Sequence, residues 1–170
     1  MSTRQIAYAA LLAALYVVVG QFTGRIPNPM VPGANLALNM TVVVIAGSLL
    51  GPLLGGLVGL LGTLLNAVSP AGNPFEYAAI IPHTIMGITA GLIARVSMPA
   101  AALAIIVGHV LNIAAFVTLP LGPQGSTLLP LNQLTALVFS VGLLVEAVID
   151  LIVIWLAVAV LRPVVRSAPV

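Results

Sequence analysis

The chain has 170 residues, of which 61% are hydrophobic and only 5% charged, and its mean hydropathy is +1.26. A water-soluble domain devotes roughly a quarter of its residues to charge, so this chain cannot cover its surface with polar groups and most of its area must face lipid. That excludes a soluble enzyme, a nucleic-acid binder and a disordered chain; five arginines against three acids give a pI near 9.7 without making a basic patch.

Breakers divide the sequence into six apolar runs. The first covers Ile6 to Val19 and extends to about Phe22. It ends in a loop, Gly24 to Gly33, where Pro27, Pro29 and Pro32 forbid a continuous helix. The second run, Leu36 to Leu50, closes on the tight turn Gly51-Pro52, and the third runs from Leu53 to Val68. After the loop Ser69 to Pro74 comes the fourth, Tyr77 to Ala94, interrupted by Pro82. The fifth is Met98 to Leu119, and beyond the loop Pro120 to Pro130 the sixth and longest is Asn132 to Leu161.

A spanning helix needs about 20 apolar residues, with about 17 as the usual lower limit. Runs one, four, five and six satisfy this; runs two and three are short, and either pair as a hairpin reaching part of the way or borrow loop residues. The expectation is an all-α integral membrane protein with six transmembrane helices, forming a single transmembrane domain over residues 1–170. Arg4 ahead of an apolar stretch is reminiscent of a signal peptide, but no small-x-small cleavage site follows cleanly, so the run is read as a helix. Asn39-Met40-Thr41 matches a glycosylation acceptor only by coincidence, since it lies inside an apolar run. No internal repeat is visible.

Six spans put Arg4, Arg95, Arg162 and Arg166 on one side and Arg25 alone on the other. The bias of arginine toward the cytoplasm then places both termini inside the cell and loops 24–35, 69–76 and 120–131 outside. The chain has no lysine, so neither a phosphate-loop lysine nor a Schiff base is available. It has no cysteine, hence no disulfide, thiol nucleophile or thiolate metal site. Two histidines and three acids are too few for most hydrolytic constellations. No cofactor and no resident metal are expected.

Polar groups in lipid are costly unless they face protein or water. Asn35 and Asn39 open the second run from the outer side, Asn66 ends the third, and His83 lies about two turns into the fourth. His109 is mid-span in the fifth, with Asn112 one turn further out, and Glu146 is mid-span in the sixth. Most of this polarity falls in the outer half or at the midplane, which points to an outward-facing cavity. His109 and Asn112, three apart, share one helix face, and Glu146 and Asp150, four apart, share another. Each pair suits either a pocket wall or structural hydrogen bonding between helices. Asp150, deeper toward the cytoplasm, reads as structural, reaching Arg95 or a partner subunit. Arg25 suits a substrate carboxylate or phosphate, or a pair with Glu76. Glu76 and Tyr77, just outside the fourth run, either rim a pocket or serve as a solvated charge and an interface anchor, the second reading slightly ahead. Pro82 strips the carbonyl of Ala78 of its donor beside His83, as a cavity-lining break or a plain kink would.

In the first run, Ala9/Ala13 and Ala10/Ala14 are small-xxx-small pairs that let another helix approach closely. Together with the proline-rich first loop, the stretch Val42 to Gly56 that passes through Leu-Leu-Gly-Pro into small residues, and Gly87 to Arg95, they carry a resemblance. The chain resembles, over nearly its whole length, the substrate-binding S component of energy-coupling factor (ECF) vitamin transporters. The resemblance implies a high-affinity binding subunit in the cell membrane that takes a small vitamin or vitamin precursor from a pocket open to the outside and capped by the first loop. It implies a transmembrane coupling subunit docked on Ala9, Ala10, Ala13 and Ala14, two cytosolic ATPases, and transport by toppling of the S component within the bilayer. The binding residues it suggests are Arg25, Asn35, Asn39, Asn66, His83, His109, Asn112 and Glu146. Metal-specific relatives carry histidine at the second position, where this chain has Ser2; the single tryptophan, Trp155, argues for a small or weakly aromatic ligand. Glu146 favours a ligand with a donor or partial positive charge.

Two other readings compete. An autonomous proton-coupled carrier would use Glu146 and Asp150 as its relay. An intramembrane enzyme would draw a metal site or acid/base pair from His83, His109 and Glu146, at spacings that match no known ligand motif.

Overall fold

The computed structural model describes residues 1–28, 35–70, 72–130 and 136–167, and in the last segment the side chains of 144–165. Among these residues the chain forms six α-helices and no strand: α1 (Thr3–Thr23), α2 (Met40–Leu50), α3 (Pro52–Ala67), α4 (Pro74–Ala94), α5 (Ala104–Thr118) and α6 (Ala136–Ser167). Short 3-10 turns cover Pro99–Leu103 and Pro123–Gly125. With its four long apolar helices and two shorter ones, this is an all-α membrane protein.

Local chemistry sets the helix ends. Ser2 and Gln5 form a capping box at the start of α1, the Ser2 hydroxyl accepting from the Gln5 amide at 3.3 Å and the Gln5 side chain accepting from the Ser2 N–H at 2.9 Å. Gly51 turns α2 into α3 at φ 92°, a left-handed conformation that favours glycine, and Pro52 opens the next helix without a wasted N–H. Asn73 caps α4 by accepting from Phe75 N at 3.0 Å, with Pro74 at the first helical position. Arg4 donates to the carbonyl of Val164 at 3.4 Å, so the start of α1 and the end of α6 lie at the same end of the bundle.

Where the sequence suggested a helix from Leu36, α2 begins only at Met40. Leu36 instead donates its N–H to Ile26 O at 3.0 Å, and Pro27 and Asn35 form an antiparallel bridge. Four residues are thereby diverted from helix into loop. The fourth run instead starts earlier than expected: α4 begins at Pro74 and takes Glu76 into its first turn. Residues 131–135, where the sixth run was expected to begin, lie outside the described residues.

The short α2 is the hub. Met40 to Ser48 are all buried, with α1, α3, α4, α5 and α6 packed around it. Glycines bring α2, α3 and α4 into backbone contact. A Cβ on Gly47 or Gly55 would strike the carbonyl of Gly87, one on Gly87 the carbonyl of Gly55, and one on Gly59 the carbonyl of His83. Such close approach is how helices associate where lipid removes the hydrophobic drive between them.

The alanines of α1 divide. Ala9 and Ala13 are buried against Ala46, Leu54 and Val58. This corrects the expectation that they dock a coupling subunit: α2 and α3 already cover that face. Ala10 and Ala14, rotated by about 100° on a helix of 3.6 residues per turn, remain exposed.

Candidate functional site

At the end of the bundle away from the termini, the first residues of α2 and α4, the last of α5 and the upper part of α6 enclose a cavity of about 80 Å³. Asn28, Asn35 and Ala37 line it from the loop before α2, and Met40 from α2 itself. α4 contributes Phe75, Glu76, Ala79 and His83 below its cap Asn73; α5 contributes His109, Asn112, Ile113 and Phe116; α6 contributes Glu146. Phe75 and Phe116 meet edge to face, centroids 4.9 Å apart and planes at 88°, and form an apolar wall.

His83 is the buried node of the polar wall. Its Nε2 faces Asn112 Nδ2 at 3.1 Å, and its Nδ1 faces both Tyr16 Oη at 2.8 Å and Thr63 Oγ1 at 3.0 Å. Asn112 donating to Nε2 leaves the proton of a neutral ring on Nδ1, which donates to Tyr16 or Thr63. Tyr16 in turn donates to Glu76 Oε2 at 3.5 Å. The hydrogen-bond chain thus runs from α5 through α4 and α1 to the carboxylate at the head of α4. Asn39 and Asn66 are buried but are not among the residues that line the cavity; the Asn66 Oδ1 accepts from Gln21 Nε2 at 3.3 Å. Gly20 makes room for the Asn66 amide, which a Cβ there would meet at 2.7 Å.

Glu146 is the second carboxylate. Its Oε1 accepts from the backbone N–H of Ala37 at 3.1 Å and its Oε2 from Asn28 Nδ2 at 3.2 Å. The four residues lost from helix two are therefore what ties α6 to the first loop. His109 reaches across to α6 as well, its Nε2 lying 3.2 Å from Asp150 Oδ2, with Asp150 fully buried. Within the chain Asp150 is bonded to His109 on a neighbouring helix rather than to Arg95. Asn112 Oδ1 is buried and has no hydrogen-bond partner among the described residues.

Of the residues singled out in the sequence, Asn35, His83, His109, Asn112 and Glu146 converge on the cavity, and Asn39 and Asn66 are buried without lining it. Arg25 does not reach it. It lies on the exposed turn after α1, outside the residues that line the cavity. Pro29 and Pro32, expected in the capping loop, lie outside the described residues.

Sequence reasoning ranked Glu76 as a solvated charge slightly ahead of a pocket rim, and missed Tyr16. Glu76 carried a usable signal, since Asn73, Pro74 and Glu76 have the N-cap, N1 and N3 pattern of a helix start, which places the carboxylate inside the bundle's end rather than beyond it. Tyr16 had none: it is one apolar-looking residue in an apolar run. Among the described residues no group of three or more His, Asp or Glu is placed to hold a metal ion. The two histidines are already engaged, His83 by Tyr16, Thr63 and Asn112, and His109 by Asp150.

Comparison with known proteins gives one assignment. The family model of the ECF-type riboflavin transporter, S component, matches residues 1–162. Neither the curated proteins nor the solved structures include a match to this chain. A match over nearly the full length, on a bundle with a polar cavity at one end and small residues exposed on its first helix, settles the family: the chain belongs to the S components of ECF transporters, membrane-integral binding subunits and not enzymes.

Proposed function

We propose that this chain captures a small vitamin or vitamin precursor from outside the cell and delivers it with a transmembrane coupling subunit and two cytosolic ATPases. In this reading all six helices lie in the membrane, with α2 and α3 as a short hairpin, and both termini are cytoplasmic. The arginine bias supports that orientation: Arg4, Arg95, Arg162 and Arg166 belong to the end of the bundle where the termini meet, and the cavity opens at the other.

The observation that carries the reading is the chemistry of the cavity wall. Two carboxylates, asparagine amides and a neutral imidazole face an edge-to-face phenylalanine pair, and Asn112 Oδ1 waits without a donor among the described residues. A buried acceptor left unpaired is costly, and a ligand N–H would satisfy it. The matching guest is a flat nitrogen heterocycle with several N–H or amino donors, stacked on Phe75 and Phe116. Riboflavin, named in the family's description, is the first compound to test. The volume of about 80 Å³ is well below the roughly 300–1,000 Å³ of pockets for drug-sized ligands, and favours a single ring over a tricyclic flavin.

Mass spectrometry of the compound released on denaturing the purified protein, followed by calorimetric titration with riboflavin and with single-ring pyrimidines and thiazoles, tests this. One such compound should bind with micromolar or tighter affinity. Uptake into vesicles should require ATP and the partner subunits; uptake by the lone chain, driven by a proton gradient, would instead support the autonomous carrier. Against that carrier stands the engagement of its two acids, Asp150 by His109 and Glu146 by Ala37 and Asn28.

A further inference from the structure

A second cavity, of about 280 Å³, lies at the arginine end of the bundle. Ser48 lines it from α2, Gly91 and Arg95 from the end of α4, and Arg162 from α6. Among the described residues two of its polar groups have no partner. Ser48 is only 5% exposed and its Oγ is buried with no hydrogen-bond partner; the Nε of Arg162 is likewise buried and unpartnered. A serine in an apolar helix usually returns its proton to a carbonyl one turn back, and Ser48 does not. No side-chain carboxylate is left to come here. The chain has three acids; Glu76 and Glu146 line the outer cavity and Asp150 is bonded to His109. Two guanidinium groups on one cavity, with buried donors unspent, call for an anion.

The neighbouring surface indicates which anion. Met98 and Arg162 also line an apolar groove of about 290 Å³, completed by Ile154, Trp155, Val158 and Ala159. Trp155 donates its indole N–H to Pro99 O at 3.0 Å while its ring stays 51% exposed, the posture of an aromatic residue at a membrane interface. A cationic cavity that shares its wall with a greasy, lipid-facing groove offers one place for a phosphate and one for a hydrocarbon tail.

We propose that the arginine end is a binding site for an anionic phospholipid. Arg95, Arg162 and the Ser48 hydroxyl hold the headgroup phosphate, and one acyl chain lies in the groove beside Trp155. The proposal does not depend on what the outer cavity binds.

The test reconstitutes the protein in vesicles of phosphatidylethanolamine and phosphatidylglycerol, extracts it in mild detergent and quantifies the retained lipid by mass spectrometry. Phosphatidylglycerol should be enriched over its share in the vesicle. Arg95→Gln and Arg162→Gln should each lower the enrichment roughly fivefold, the effect of the ~1 kcal/mol that a juxtamembrane arginine contributes. Ala159→Trp, which fills the groove and keeps both arginines, should lower it too. Added phosphatidylglycerol should raise the melting temperature of the wild type and not of the double arginine variant, which separates lost binding from lost folding. Retention at the vesicle ratio, or enrichment that survives the double substitution, overturns the proposal. Displacement by millimolar inorganic phosphate would assign a free anion instead. Loss of coupling-subunit association with lipid retention intact would make the cavity a docking point for a protein carboxylate, and the lipid proposal would fall.

Discussion

The two halves of the bundle are held together by different forces. α2, α3 and α4 touch backbone to backbone through Gly47, Gly55, Gly59 and Gly87. α6 packs far less extensively and is fastened by directional bonds: Glu146 to Ala37 and Asn28, Asp150 to His109, and Trp155 to Pro99. Between helices in lipid, van der Waals fit and interhelical hydrogen bonds replace the hydrophobic effect; backbone contact through glycine marks the α2, α3 and α4 side, where His83 also bonds Thr63, whereas α6 joins the core through Ile154 and Val158 and adds its directional bonds without such glycine contacts. The glycine-packed side has no room to move. α6 carries one of the two carboxylates of the cavity, and the bonds that hold it can be cut one at a time by substitution.

The largest effect should come from breaking the packed side. Gly55→Leu drives a side chain into the backbone of Gly87 and Gly47. Overpacking costs about 1–3 kcal/mol when neighbours can yield, and backbone cannot, so this variant should lack a monodisperse peak in detergent size-exclusion chromatography. Cutting the polar side should be milder. Asp150→Ala leaves His109 without its partner, yet interhelical hydrogen bonds in membranes average only about 0.6 kcal/mol and reach about 1.7. The variant should fold, melt a few degrees lower in detergent and bind ligand more weakly; a collapse as complete as that of Gly55→Leu would remove the distinction between the halves.

Smaller effects sharpen the picture at the cavity. Glu146→Gln retains an acceptor for the Ala37 N–H but loses the charge, and should weaken ligand binding about tenfold, roughly 1.4 kcal/mol, by calorimetry, with the melting temperature nearly unchanged. Tyr16→Phe removes the hydroxyl between His83 and Glu76, and should cost about 1 kcal/mol of stability and a few-fold in affinity. Ala10→Leu and Ala14→Leu should change neither stability nor affinity, only co-purification with the coupling subunit. Ala9→Leu should behave oppositely, because it presses on Ala46, Leu54 and Val58.

The sequence announced the polar wall because each hydrophilic residue in an apolar run must have a use. His83, His109, Asn112 and Glu146 were legible for that reason, and so was the helical architecture. Glu76 was obscured by its place at a helix boundary, where a solvated charge is unremarkable. The pairing of His109 with Asp150 spans 41 residues and depends on the rotation of two helices, which no local pattern specifies. The same holds for the alanines: two overlapping pairs at equal spacing cannot tell which of them faces inward. The diversion of residues 36–39 from helix to loop was hidden as well, since Leu36 and Ala37 extend the apolar run and the partners that hold them in the loop, Ile26 O and the Glu146 carboxylate, are distant in sequence.

α3 also bears on how the protein sits among lipids. Its outward ridge of Leu53, Leu57, Leu60, Leu61, Leu64 and Leu65 is exposed, on a helix of 16 residues that rises about 24 Å at 1.5 Å per residue. The hydrocarbon core is about 30 Å thick, so in the six-span arrangement proposed above the bilayer on this flank thins, or the whole body leans until the short side is covered. In that arrangement the mismatch favours one direction of tilt.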